Sequence, residues 1–461
     1  MDIEQTDDYV EENFEAFLSD LKELLSQPSI SSEGEGVDEC ASLVEEYCKD
    51  YGFDETRIER TSGNPYVIAQ AFVDHDPENE KPTVLIYGHF DVQPVREEEW
   101  DTPPFEPTVR KGPEGRERMY ARGAGDNKGQ WFAHLCAVKT WREMDDIPIN
   151  VTLILDGEEE IGSPNIHEVV ADNRDLFEAD VAMIADGPMD DSWTPDIHLG
   201  ARGILYMQMD LKGPNRDLHS GNFGGPVPSP AWELVDLLSG MKDESGKVTI
   251  DGFYDEVREI NEEMREILDD IPFEIDTVKE ELEIDGLADG PGDTYLEKLM
   301  YHPTLNIAGL TSGYQGEGSK AVLPSTARAK VDIRLVKNQQ AGDIFEKFKT
   351  HVHDNIDDDK VDIEIEKLGD AMKPWLTPVD SDFLDPILDA VEDGWKMDPI
   401  VKPVSGGSLP GAVFTEDLDL HLFSLAYANP DESNHSPNEN LVLECFKNGI
   451  KTTTRILKNL C

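Results

Sequence analysis

The stretch Thr83-Val84-Leu85-Ile86-Tyr87-Gly88-His89-Phe90-Asp91 constrains the fold more than any other part of the chain. Its apolar run reads as a strand buried on both faces, which belongs to a sheet covered by helices. Open α/β sheets bind ligands beyond the carboxyl ends of their strands. Here an imidazole and a carboxylate stand two residues apart where the run ends. Three more apolar runs, at 150–155, 181–184 and 420–426, also lead into polar clusters. These are Asp156-Gly157-Glu158-Glu159-Glu160-Ile161-Gly162, Asp186-Gly187-Pro188 and Asn434-His435-Ser436-Pro437-Asn438-Glu439. Histidine with many carboxylates at several strand ends points to metal.

The spacing of Phe14, Phe17, Leu18, Leu21, Leu24 and Leu25 predicts an opening amphipathic helix, and Trp131 to Trp141 a second. Strands alternating with helices imply an α/β domain with a mostly parallel sheet. After Gly203 the pattern changes. Leu205, Met207, Met209 and Leu211 alternate with polar neighbours, as do Ala329, Val331, Ile333 and Leu335. Helices are expected near 232–238 and 344–348, an acidic helical stretch over 254–282 and a strand at 361–365. This is an α+β module with one wet sheet face. Past Lys373 the first pattern returns, with a helix over 383–391. The chain therefore reads as residues 1–202 and 374–461 in one domain, with 203–373 inserted as a second.

Acids outnumber bases by 98 to 40, giving a net charge of −58. The excess runs from end to end, which suits a surface hydrated in concentrated salt, where screening removes self-repulsion. Such a surface repels nucleic acid and anionic membrane. No run approaches membrane-spanning length. Met1-Asp2-Ile3-Glu4 lacks the basic and apolar regions of a signal peptide. Five cysteines without Cys-x-x-Cys spacing fit free thiols in a reducing cytoplasm.

Residues two apart in a strand share a face, so Asp91 is placed to orient His89 as a metal ligand. The glycine-rich Arg122-Gly123-Ala124-Gly125-Asp126-Asn127-Lys128-Gly129 resembles a dinucleotide loop only superficially. Lys128 holds the place of the third glycine, and no clean strand precedes it. Asp126 reads instead as a ligand on a tight turn. In the glutamate run, adjacent carboxylates can divide their labour, one holding metal and the other taking a proton from water. A set of His, Asp, Glu, Asp and His with one shared carboxylate suits two cations. Mixed N/O donors without thiolate favour Zn²⁺, Mn²⁺ or Co²⁺ over Mg²⁺.

These residues resemble the co-catalytic metallopeptidases and deacylases that include carboxypeptidase G, acetylornithine deacetylase and succinyl-diaminopimelate desuccinylase. The chain is most similar to the branch of carnosinase and cytosolic non-specific dipeptidase. The resemblance runs from about Phe14 onward. It rests on residues 87–94 and 120–130, Glu159-Glu160-Ile161-Gly162-Ser163, Asp217-Leu218-His219-Ser220-Gly221 and Asn434-His435-Ser436. It implies that His89, Asp126 and Asp186 hold one metal and Asp126, Glu160 and His435 the other. Glu159 becomes the general base for a bridging water, a register set by Ile161-Gly162-Ser163. A cis peptide is implied at Asp126-Asn127. The inserted module is then a lid and dimerisation domain, whose His219 reaches a partner subunit's site and stabilises the oxyanion. Arg334 grips the substrate carboxylate. Gly407 and Ser408, in Ser405-Gly406-Gly407-Ser408-Leu409-Pro410, and Asn306 contact substrate; Tyr314 lies in the same matching stretch as Asn306. His351-Val352-His353, where a helix gives way, has no counterpart and no metal role.

The resemblance thus implies a cytoplasmic, homodimeric hydrolase with two divalent metals per subunit, zinc foremost. It would cleave dipeptides or short peptides bearing a free C-terminal carboxylate. An N-acyl-amino-acid deacylase is the nearest alternative, and a non-catalytic relative that keeps the fold is an alternative of another class.

Overall fold

Runs of β-branched and long aliphatic residues favour strands buried on both faces. The computed structural model describes residues 3–357 and 359–461; Met1 and Asp2, half of the stretch read as no signal peptide, lie outside the described residues. Tyr66–Ala71, Thr83–His89, Asn150–Asp156 and Val181–Ala185 are strands, and every residue of Asn150–Asp156 is buried. Met1–Gly200, Leu376–Lys402 and Pro410–Cys461 form one compact unit, and Ala201–Trp375 with Pro403–Leu409 a second.

The first unit holds an eight-stranded sheet, in the order Glu55–Glu59, Tyr66–Ala71, Asn150–Asp156, Thr83–His89, Val181–Ala185, His421–Leu425, Asp196–His198 and Ile400–Lys402. Thr83–His89 pairs in parallel with Asn150–Asp156 on one side and Val181–Ala185 on the other. His421–Leu425 continues the parallel set beyond Val181–Ala185. Chain order thus reverses across Thr83–His89, and its carboxyl end opens at a topological switch point. Helix Lys128–Met144 follows this strand and is buried on nearly every side, as a helix apolar all round must be. It packs in one core with Ile3–Ser26 and Leu443–Asn459.

Gly88 is where helix and strand meet most closely. A Cβ there would stand 2.6 Å from the Cβ of Trp131. Gly88→Ala is therefore expected to lower stability by about 1–3 kcal/mol, the usual cost of overpacking a full core. Denaturant unfolding checks this, and an unchanged midpoint would show that the helix shifts freely.

The second unit is built on an antiparallel sheet in the order Thr304–Ser312, Thr326–Leu335, Gly203–Lys212 and Asp362–Lys367. Leu205, Met207, Met209 and Leu211 share a core with Leu234 and Leu237 of Pro230–Gly240 and with Ile344, Phe348 and Val352 of Ala341–Asn355.

Three expectations are corrected. The acidic stretch over 254–282 is not one helix but two, Glu262–Asp270 and Ile275–Glu281. Pro272 lacks an N–H and disfavours helical geometry at Ile271, so the first helix stops there. Residues 403–409 were expected in the first domain but belong to the second unit. Arg202 binds them, donating from its backbone to Ser405 O at 3.2 Å and from Nε and Nη2 to Gly406 O at 3.1 and 2.9 Å. His351 and His353 lie within helix Ala341–Asn355, not past its end.

Candidate metal centre

His89, Glu160 and Asp186 sit where apolar strands give out, whereas Asp126 and His435 come from loops. His89 is the last residue of Thr83–His89, and Asp186 follows Val181–Ala185 directly. Glu159 and Glu160 open the short turn Glu159–Ile161 just beyond Asn150–Asp156. Asp126 ends the glycine-rich loop, and its peptide bond to Asn127 is cis. His435 lies on the loop after His421–Leu425 with φ of 53°, an uncommon conformation for a residue with a Cβ.

The five side chains converge. Asp126 Oδ1 lies 3.0 Å from His89 Nε2, and its Oδ2 lies 3.0 Å from His435 Nε2. Asp186 Oδ2 stands 3.6 Å from His89 Nε2, and Glu160 Oε2 3.0 Å from His435 Nε2. Ligand atoms of His89, Asp126 and Glu160 all fall within 4.8 Å of one another. The arrangement is two groups of three, sharing Asp126.

The glutamate run sorts itself by environment. Glu158 is fully buried and held by Asn64 N at 2.7 Å, Tyr66 Oη at 3.0 Å and Asn165 Nδ2 at 2.9 Å. Glu160 faces His435 and accepts from Gln93 Nε2 at 2.9 Å. Glu159 is left beside the cluster.

Asp91 serves both sides of the centre. Its backbone oxygen lies 3.1 Å and its Oδ1 3.4 Å from His89 Nδ1, which turns Nε2 towards the carboxylates. Its two carboxylate oxygens accept the backbone N–H groups of Glu159 and Glu160 at 3.1 and 3.0 Å. One buried acid thus fixes the ring and the backbone of both glutamates.

The charge balance of the protein groups alone is poor. Burial pushes Asp186 up to about 7; His89 opposes this, and the charges of Asp126 and Glu160 add to it. Glu159 is raised well above the usual carboxylate range by burial, against His89, and further by Asp186, Glu160 and Asp126. His435 is raised to about 10 by its contacts with Asp126 and Glu160. His89 Nε2 is buried without a hydrogen-bond partner despite its nearby carboxylates, and so are both carboxylate oxygens of Glu432. Two imidazoles do not offset this many acids in a medium of low dielectric. Divalent cations would, so the residues present fit such a group, and the N/O donor set suits Zn²⁺, Mn²⁺ or Co²⁺.

Several residues of the centre escaped the sequence reading. Glu439 is fully buried and accepts four N–H groups. They come from Arg122 Nη1 at 2.7 Å, Gly123 N at 3.0 Å, and Gly125 N and Asp126 N at 2.9 Å each. It therefore shapes the Asp126 loop. Glu432 approaches the same loop, where a Cβ on Gly125 would meet its Oε2 at 2.1 Å. Their only sequence signal is closeness to His435.

In the second unit, Arg334 Nη1 donates to Ser408 Oγ at 3.0 Å. Arg202 lies close enough that burial first, then the Arg334 charge, lowers it to about 10. Gly407 N donates to Ser405 Oγ at 3.2 Å. These contacts draw Arg334, Arg202 and the 405–408 loop together. Asn306 is exposed on Thr304–Ser312 and donates to Asp332 Oδ2 at 3.0 Å. His219 is exposed, and its Nδ1 accepts from Gly221 N at 3.1 Å.

A mostly parallel sheet with histidines and carboxylates clustered at its switch point defines a metallopeptidase-type hydrolase. The chain belongs to peptidase family M20/M25/M40, whose profile matches residues 85–459. It is 29% identical to the Cys-Gly metallodipeptidase dug1 of Schizosaccharomyces pombe over 98% of this chain and 97% of that protein. It is likewise 29% identical to the Beta-Ala-His dipeptidase of Rattus norvegicus, over 82% of this chain and 76% of that protein. Among solved structures, the M20 family metallo-carboxypeptidase Sso-CP2 from Sulfolobus solfataricus superposes with a TM-score of 0.86. Its identity is 34%, covering 96% of this chain and 99% of that one.

Proposed function

We propose that this metallopeptidase cleaves dipeptides or short peptides with a free C-terminal carboxylate, using two divalent cations held by His89, Asp126, Glu160, Asp186 and His435. The observation that carries the reading is the Asp126 carboxylate, each oxygen 3.0 Å from a different histidine. Two cations sharing a carboxylate need that arrangement. The likeness to a Cys-Gly and a Beta-Ala-His dipeptidase favours dipeptides over N-acyl amino acids.

When bound, the cations supply Lewis acidity that lowers the pKa of water and polarises the scissile carbonyl. Glu159 takes the proton of the attacking water and passes it to the leaving amine. Asp91 keeps Glu159 in place through the backbone N–H it accepts. Because His219 Nδ1 accepts from Gly221 N, the ring proton belongs on Nε2, where it can donate to the oxyanion. Arg334 takes the substrate carboxylate, with Ser408, Gly407 and Asn306 as further contacts; guanidinium and carboxylate match as a bidentate pair.

His219 acts in the centre of a second subunit, and the second unit forms the dimer. Its exposure, and that of Phe223, Trp232 and Val235 nearby in sequence, supports this. His219→Ala is expected to lower kcat about 10²-fold, as loss of an oxyanion donor does. Single-turnover kinetics reads this, and an unchanged rate rejects the role.

The enzyme is cytoplasmic and salt-adapted. Four of its five free cysteines are buried, and among the described residues no helix is long and apolar enough to cross a membrane. The decisive assay strips metal and restores Zn²⁺, Mn²⁺ or Co²⁺ separately at high salt, against dipeptides and N-acyl amino acids. Metal-dependent dipeptide cleavage is expected. Release of acetate or succinate without dipeptide cleavage would favour the deacylase reading instead.

A further inference from the structure

The second unit contains a cavity of about 650 Å³ that has no part in the proposed reaction. Lys247, Arg258, Arg265 and His302 line it. In a chain with 98 acids and 40 bases, a cluster of cations is unexpected. Arg265 is balanced by Glu297, whose Oε2 lies 3.2 Å from Arg265 Nη1 and accepts from Asp293 N at 3.1 Å, and by Asp293, whose Oδ2 lies 3.7 Å from the same Nη1. Glu259 also lines the cavity. Among the described residues, no acid lies within ion-pair distance of Arg258 or Lys247.

His302 adds a second observation. Both its ring nitrogens are buried without a hydrogen-bond partner, and Glu297 Oε1 stays 3.7 Å away from Nε2. A polar group sealed from water normally finds a partner, and one left over is costly. Tyr254, Val257, Ile260 and Pro291 supply apolar surface, Ser245, Gly290 and Glu297 complete the lining, and Lys247 Nζ sits 5.1 Å from the Tyr254 ring centre. A concave site with apolar walls and a few convergent polar groups is the usual form of a small-molecule pocket.

We propose that this cavity binds a small organic carboxylate, its oxygens on Arg258 and Lys247 and its apolar body against Tyr254, Val257, Ile260 and Pro291. Arginine supplies two parallel donors to a carboxylate. The apolar walls select an organic acid over a bare inorganic anion.

Calorimetric titration of the full chain with sodium hexanoate at fixed ionic strength tests this, with thermal melting run on every variant. Saturable binding is expected, weakened about 10-fold or more by Arg258→Ala and by Lys247→Ala. Both side chains belong to exposed residues, so the fold should tolerate their removal. Arg60→Ala, which removes the same charge from the first unit, should leave binding unchanged. Hexanoate held instead at the metal centre or on Arg334 would survive Arg258→Ala, and that result overturns the proposal. So does the absence of saturable binding. Hexylamine binding as well as hexanoate would show selection by apolar contact alone, and phosphate saturating a site that ignores hexanoate would show a plain anion site. Either result also overturns it.

Discussion

Glu159→Gln is expected to lower kcat by about 10³-fold while leaving two cations per subunit in place. The amide keeps the shape of the side chain but accepts no proton, and positioned general bases contribute about 10²–10⁴. Metal should stay because the arrangement at Asp126, Glu160 and the two histidines does not involve Glu159. The Asp91 contact to the Glu159 backbone is also untouched by the change. Turnover and metal stoichiometry must be measured on the same preparation. Near-native turnover would move the base elsewhere in the run. Loss of metal would make Glu159 a ligand and exchange its role with Glu160.

Asp126→Asn should have the opposite signature, with metal lost first and activity as a consequence. Its two oxygens each face a different histidine, so one substitution weakens both cation positions. Partners one layer removed from a metal already cost about 10–100-fold in affinity when mutated, so a shared ligand should exceed 100-fold. Mass spectrometry of dialysed protein under native conditions counts the cations. Retention of two per subunit would show that the carboxylate is not shared.

The outline of the centre was legible because burial and chemistry coincide in it. Each apolar run that forms an interior strand of the parallel set ends in or near one of the converging acids or imidazoles, and Asp91 stands beside His89 although the strand has already stopped at His89. The division among Glu158, Glu159 and Glu160 was not legible from the residues alone. It depends on Asn64, Tyr66 and Asn165, which capture Glu158 from other segments. Glu439 was hidden for the same reason, since its partners lie more than 300 positions upstream. Arg202 looked like an ordinary residue at a domain boundary, yet it ties down the 405–408 loop. The strand Thr304–Ser312 escaped because a bulge between Ile307 and Gly309 breaks its alternation. Pro272, by contrast, was visible in the text, and its break in the acidic stretch was readable there.

The grip of Glu439 on the Asp126 loop has a consequence for biosynthesis. Glu439 and Asp126 are 313 residues apart, and His435 is made only four residues before Glu439. At about 5–20 residues per second, a ribosome needs roughly 15–60 s to travel that far. During that interval the nascent polypeptide carries a glycine-rich loop with neither its brace nor its second imidazole. Until residues 435–439 have emerged, neither side chain can reach Asp126, so the clustering of acids and imidazoles is completed late in synthesis.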